Sequence, residues 1–135
     1  MVTLIINRDM LESLVRGAEG SGIEVCSVLI GFVRGDRYIV REYVDVRNIE
    51  VSPVLFRADP RDMARAIFKL TGGDYDIVGV FHSHPAPPVP SVRDVEGMRF
   101  WPRVVWLIYS TTTHSLGAYM FGDNGSICRV GLVVC

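Results

Sequence analysis

An apolar opening, Met1 to Asn7, gives way to a stretch in which Leu11, Leu14, Val15 and Ala18 recur at helical spacing, so a short strand followed by a helix is expected. Asn7 can cap that helix, which runs to about Ala18, and Gly20 and Gly22 end it. Ile23 to Val33 and Arg37 to Val46 read as two strands of a hairpin joined by the turn Arg34-Gly35-Asp36. The pattern becomes irregular from Arg47 to Asp59, around Ser52-Pro53. Asp59-Pro60 then opens a second helix, with aspartate as cap and proline at the first position, and Gly72-Gly73 closes it. Tyr75 to His84 is an apolar run ending in histidines, which predicts a buried strand delivering side chains to a sheet edge. A proline-rich loop, Pro85 to Pro90, leads into a third helix over Ser91 to Trp101, bounded by Pro102. Val104 to Tyr109, Leu116 to Phe121 and Ile127 to Val134 complete the strands, the last two joined through Asp123-Asn124-Gly125. Helices and strands alternate early and strands accumulate late, without repeats or linkers. That order predicts a single-domain α/β sandwich with a mixed β-sheet over residues 1–135.

Composition narrows the function more than the fold. Fourteen basic and fifteen acidic side chains leave a formal charge of -1, which gives no chain-wide attraction to nucleic acid or an anionic membrane. No apolar run approaches the roughly 20 residues needed to span a bilayer, because Glu24, Ser27 and Gly31 interrupt the best one. A soluble, cytoplasmic protein is expected. Cys26, Cys128 and Cys135 are odd in number and widely spaced, so neither a disulfide framework nor a cysteine zinc knuckle is indicated.

Metal-ligand side chains concentrate in one stretch, Gly79-Val80-Phe81-His82-Ser83-His84-Pro85, followed by Ser91-Val92-Arg93-Asp94. On a strand, residues i and i+2 share a face, so His82 and His84 can present two imidazoles to one point. A catalytic zinc commonly takes three nitrogen or oxygen ligands and leaves a fourth position for water, and Asp94 is the nearest carboxylate to complete the set. Ser91 as cap and Asp94 in the first turn would fix that carboxylate's direction. Hydrolysis also needs a group that takes a proton from water and returns it to the leaving amine. Glu24 is the candidate, since a carboxylate inside the apolar run Ile23 to Ile30 is costly unless it is paired.

Taken together, Glu24-Val25-Cys26-Ser27-Val28-Leu29-Ile30-Gly31, then His82-Ser83-His84-Pro85, then Ser91 and Asp94, resemble the glutamate, HSHP and SxxD signature of JAMM (MPN+) metallopeptidases. The resemblance extends over nearly the whole chain, with Asn48, Ser52-Pro53, Phe56 and Asp59-Pro60 also falling where such domains carry similar residues. It implies a cytidine-deaminase-like α/β/α sandwich and a zinc hydrolase that cleaves amide or isopeptide bonds at the glycine tail of a ubiquitin-like or sulfur-carrier protein. Carried over by position, His82, His84 and Asp94 would bind Zn2+, Glu24 would act as general acid/base, and Ser91 would help stabilise the oxyanion. Two departures stand out: six residues separate His84 from Ser91 where the family pattern usually has seven, and Ser27 replaces a frequent glycine. Only nine residues follow Asp94 before the next expected strand, which implies a minimal form without the large insertion of selective deubiquitinases.

Plainer readings accompany each residue. Glu24 could pair with an arginine such as Arg41, Asp94 could serve the helix dipole, and Ser91 could be a cap and nothing more. His114 has no companion in sequence and reads as a surface turn residue; Trp101 and Trp106 read as core or interface. The segment from Arg47 to Asp59 could clamp an extended substrate tail by adding a strand. Against the peptidase stand a non-catalytic interaction scaffold of the same fold, which retention of all four key positions disfavours, and a DNA-repair relative, which the neutral charge does not support.

Overall fold

The computed structural model describes residues 1–48, 59–68, 70 and 73–135. Most of the expected clamp segment, together with the Ser52-Pro53 and Phe56 positions and Gly72, therefore lies outside the described residues. Strands β1 (Thr3–Ile6), β2 (Cys26–Arg34), β3 (Arg37–Val46), β4 (Asp76–His84), β5 (Val105–Ser110), β6 (Ser115–Phe121), β7 (Ile127–Arg129) and β8 (Gly131–Val134) alternate with helices α1 (Arg8–Glu19), α2 (Pro60–Phe68) and α3 (Val92–Phe100). The strands form one mixed sheet in the order β7-β6-β5-β4-β2-β3-β1-β8. Its two outermost strands are consecutive in sequence and separated only by Val130. The Val130 N–H donates to the Ala118 carbonyl of β6 while the next N–H, of Gly131, donates to Val2, so the sheet curls until it is nearly closed. The expected single strand from Ile127 to Val134 is thus two, on opposite edges. Alternation alone could not reveal that the pairing partner changes at Val130.

Inside the curl, Leu11, Leu14 and Ala18 of α1 pack among Leu4, Ile6, Leu29, Phe81, Leu107 and Tyr109. The other face of β2 presents Val28 and Ile30 to Ala66 and Met63 of α2. Two layers of helix around a sheet follow from this, as an α/β/α reading requires. Asn7 caps α1 by accepting the Met10 N–H at 2.8 Å, and Asp59 accepts the Arg61 N–H at the start of α2, also at 2.8 Å.

β4 sits between antiparallel β2 and parallel β5. Its pairing with β2 shifts between Leu29 and Ile30, where Gly79 and Ile77 are the successive partners and Val78 is left over as a bulge. That extra residue explains why both Val78 and Phe81 pack in the α1-side core. Beyond the bulge, alternation turns Val80, His82 and His84 to the face opposite Phe81 and Ser83. Gly79 is required in this register, since a Cβ there would come within 2.8 Å of the Val105 carbonyl.

Candidate metal centre

His82 and His84 stand at the C-terminal end of β4 with their rings 5.4 Å apart at an interplanar angle of 70°. Facing them is the start of α3, where Ser91 is the N-cap and Asp94 the third helical residue. A reciprocal capping box fixes the carboxylate: Asp94 N–H donates to Ser91 Oγ at 3.1 Å, and Ser91 N–H donates to Asp94 Oδ2 at 2.9 Å. Asp94 Oδ1 then lies 3.3 Å from His82 Nε2 and Asp94 Oδ2 lies 3.7 Å from His84 Nε2. The six-residue proline loop is therefore long enough to bring Asp94 to the histidines.

These three buried residues each offer a ligand atom within 4.8 Å of the others. Metal–ligand bonds of about 2.0–2.1 Å in a tetrahedral site require neighbouring donors about 3.3 Å apart. The His82–Asp94 edge meets that spacing without adjustment. His84 Nε2 is 3.2 Å from the Val89 carbonyl, while its Nδ1 is buried without a hydrogen-bond partner, an orphan that a cation-centred site would explain. Two imidazoles and a carboxylate, held on two elements, fit a divalent cation such as zinc.

Glu24 is where the structure departs from the sequence reading. It lies not inside β2 but two residues before it, in the link from α1, with 7% of its surface exposed. Its Oε1 stands 3.2 Å from His82 Nε2, and its backbone carbonyl accepts the Asn48 Nδ2–H at 3.0 Å. Arg41 is not its partner; that guanidinium lies 5.6 Å above the Phe32 ring. Burial, then the nearby Asp94 charge, push the Glu24 carboxyl up to about 7, against a smaller opposing pull from Arg93. The same burial holds the His82 imidazole below its ordinary range. A neutral imidazole is the form that ligates a metal, and a carboxyl titrating near neutrality is suited to moving protons.

Glu24, His82, His84, Pro85, Val89 and Trp106 line a cleft of about 410 Å³. Ser91 also lines it and is exposed, so its Oγ can accept from Asp94 and still present its own proton to the cleft. Trp106 is no simple core residue: it borders the cleft, its benzo edge passes under Gly97 of α3, and its Nε1 is buried without a hydrogen-bond partner. Nothing in a run of apolar residues marks a tryptophan as cleft-lining. His114 does have a companion, since its Nδ1 lies 2.7 Å from Glu19 Oε1, at a turn residue with φ of 55°. Among the described residues no helix is long and apolar enough to cross a membrane.

The model of a family described as prokaryotic homologues of the JAB domain matches residues 7–120. A desampylase of Pyrococcus furiosus is 37% identical over 133 residues, covering 98% of this chain and 91% of the relative. A probable TtuB-protein conjugate cleaving protease of Thermus thermophilus is 29% identical over 137 residues, with 97% and 84% covered. In structure, a Desulfitobacterium hafniense protein solved in solution aligns with a TM-score of 0.82 at 25% identity, covering 98% of this chain and 93% of that one. A Salinibacter ruber protein, also solved in solution, aligns at 0.67 and 28%, with 96% and 90% covered.

Proposed function

This chain belongs to the prokaryotic JAB-domain family and is a JAMM-type peptidase, and from that premise we propose that residues 1–135 form one zinc-dependent domain that cleaves amide or isopeptide bonds at the C-terminal glycine tail of a ubiquitin-like or sulfur-carrier protein. The observation that carries the mechanism is the convergence of His82, His84 and Asp94 within 4.8 Å, with Glu24 Oε1 3.2 Å from His82 at the edge of an open cleft.

His82, His84 and Asp94 would hold the zinc, which when bound would supply the Lewis acidity that makes water a nucleophile near neutral pH. Glu24 takes the proton from the attacking water, which its position beside His82 and its raised proton affinity favour. The same carboxyl then delivers that proton to the departing amine, so the acid and base duties fall on one residue in sequence. Ser91 Oγ donates toward the negative charge that develops on the scissile carbonyl oxygen, while Asp94 N–H keeps the hydroxyl oriented. The substrate class is drawn from the two curated relatives, one a desampylase and the other a protease of TtuB–protein conjugates.

Glu24→Gln tests this reading on a conjugate whose modifier ends in Gly-Gly. The variant should retain about one zinc per chain and lose hydrolysis by roughly 10²- to 10⁴-fold, the usual contribution of a positioned acid–base group. Wild-type turnover in the variant would remove Glu24 from the mechanism.

A further inference from the structure

The serine between the two histidines points away from the metal ligands, and its contacts give it a separate task. Regular pairing of β2 with β4 stops at the Cys26–His82 pair. One residue further, the Ser83 backbone N–H still donates to the Val25 carbonyl at 3.1 Å, but the Val25 N–H donates to the Ser83 side chain, Oγ, also at 3.1 Å. A hydroxyl thus replaces the backbone acceptor at the point where the chain leaves the sheet. Ser83 is 1% exposed on the apolar α1 side, next to Phe81, so an uncompensated hydroxyl would be costly there and its bond to Val25 is structurally meaningful.

Val25 is the peptide neighbour of Glu24, and the N–H that Ser83 holds belongs to the peptide unit that joins them. That unit sets the direction in which the glutamate leaves the chain. Asn48 completes the arrangement by holding the Glu24 carbonyl at 3.0 Å. Glu24 sits outside regular strand and so lacks the ladder that fixes His82 and His84. Side-chain clamps take over that duty.

We propose that Ser83 is a positioning residue for the general acid/base: by gripping the Val25 N–H from the back of β4, it holds the Glu24 carboxyl against the metal site. The inference rests on the role given to Glu24 above, and it separates two functions of the histidine motif. The residues on the front of the strand bind metal, and the residue on the back aims the base. Hydrogen-bonded partners that orient metal ligands typically cost tenfold to a hundredfold when removed, and a clamp on the acid/base is expected to act on the same scale.

The test compares wild type with Ser83→Ala and with Ser83→Cys, which keeps the volume but offers a weak acceptor, by residue-resolved amide exchange, zinc content and steady-state kinetics. In Ser83→Ala the Val25 amide should exchange faster while Val80 within β4 keeps its protection. Zinc should stay at the wild-type stoichiometry, and kcat should fall roughly tenfold to a hundredfold with little change in KM. Ser83→Cys should lie between the two, and it carries the same readouts if the alanine protein does not fold. Unaltered Val25 exchange, or loss of zinc in step with loss of activity, would overturn the proposal. Exchange is measured without substrate, so a wild-type protein that hydrolyses nothing would refute the peptidase reading while leaving the clamp to be judged by its own result.

Discussion

Ser91 and Asp94 cap each other across the first turn of α3, each backbone N–H donating to the other's side chain, at 2.9 and 3.1 Å. The helix start and the candidate metal site are therefore one piece of structure: the capping box that satisfies an orphan amide also aims the carboxylate at His82. Because the cap consumes only an acceptor position of Ser91, the hydroxyl proton is left for the cleft.

Ser91→Gly separates those two duties. Glycine is tolerated at an N-cap at a cost of only a few tenths of a kcal/mol, but it has no hydroxyl to offer. The melting temperature should change little while kcat drops by about 10²- to 10³-fold, the range seen when an oxyanion donor is removed. Full turnover by the glycine variant, measured beside its melting curve, would reduce Ser91 to a cap.

Metal content provides a second check. Elemental analysis should find about one zinc in the wild type and little in His84→Ala, because two remaining ligands leave the tetrahedral set too open to retain it. Equal zinc in both proteins would mean that the ion binds elsewhere.

The Glu24 carboxyl also makes a pH prediction for the metal-free protein. Its folded pKa of about 7 stands above the usual carboxylate range, so between the two values the folded state holds more protons than the unfolded one. Stability from this group is full at acid pH and is lost as pH rises toward 7. His82, held below its usual range, works in the opposite direction, so the comparison must be with Glu24→Gln. In chelator, the stability of wild type relative to the glutamine variant should decline from about pH 4.5 to 7, by about 1–2 kcal/mol once solvent screening of the partly accessible carboxyl is allowed for. Parallel stability–pH curves for the two proteins would contradict the buried, proton-binding environment described for Glu24.

Gly31 lies at the shift in register between β2 and β3, and any Cβ there would overlap the Ile39 carbonyl. Since the obstacle is backbone, relief requires moving a strand. Gly31→Ala should therefore destabilise by about 1–3 kcal/mol, as overpacked sites do, whereas Gly17→Ala in α1, where nothing lies within 4 Å, should be neutral or stabilising. Denaturant midpoints for the pair decide the point.

The parts of this protein that were legible in its sequence are those fixed by local chemistry. Arg37–Val46 was read with the observed bounds because the turn at Gly35, with φ of 63°, ends one strand and starts the next. Ser91 and Asp94 were legible because a capping box is a relation between neighbours. His82 and His84 follow from strand periodicity. Glu24 was identified as a residue but misplaced in the fold, because the point where β2 begins depends on which of its residues find partners on β3 and β4. The break at Val130 and the bulge at Val78 were invisible for the same reason: both record a partner's demand and leave no mark in the hydrophobic pattern. Asn48 fell at a family position, yet its bond to the Glu24 carbonyl joins residues 24 apart and could be seen only once the chain was folded.

The single residue between β7 and β8 has a consequence for the order in which the protein can assemble. β1, the earliest of the described strands, has β3 on one side and β8, the latest, on the other. Its second neighbour does not exist until residues 131–134 have been added. A chain emerging from the ribosome can seat α1 and pair the central strands early, but one flank of β1 stays open until the other described strands have been made, and β8, the latest of them, shuts the sheet around its helix.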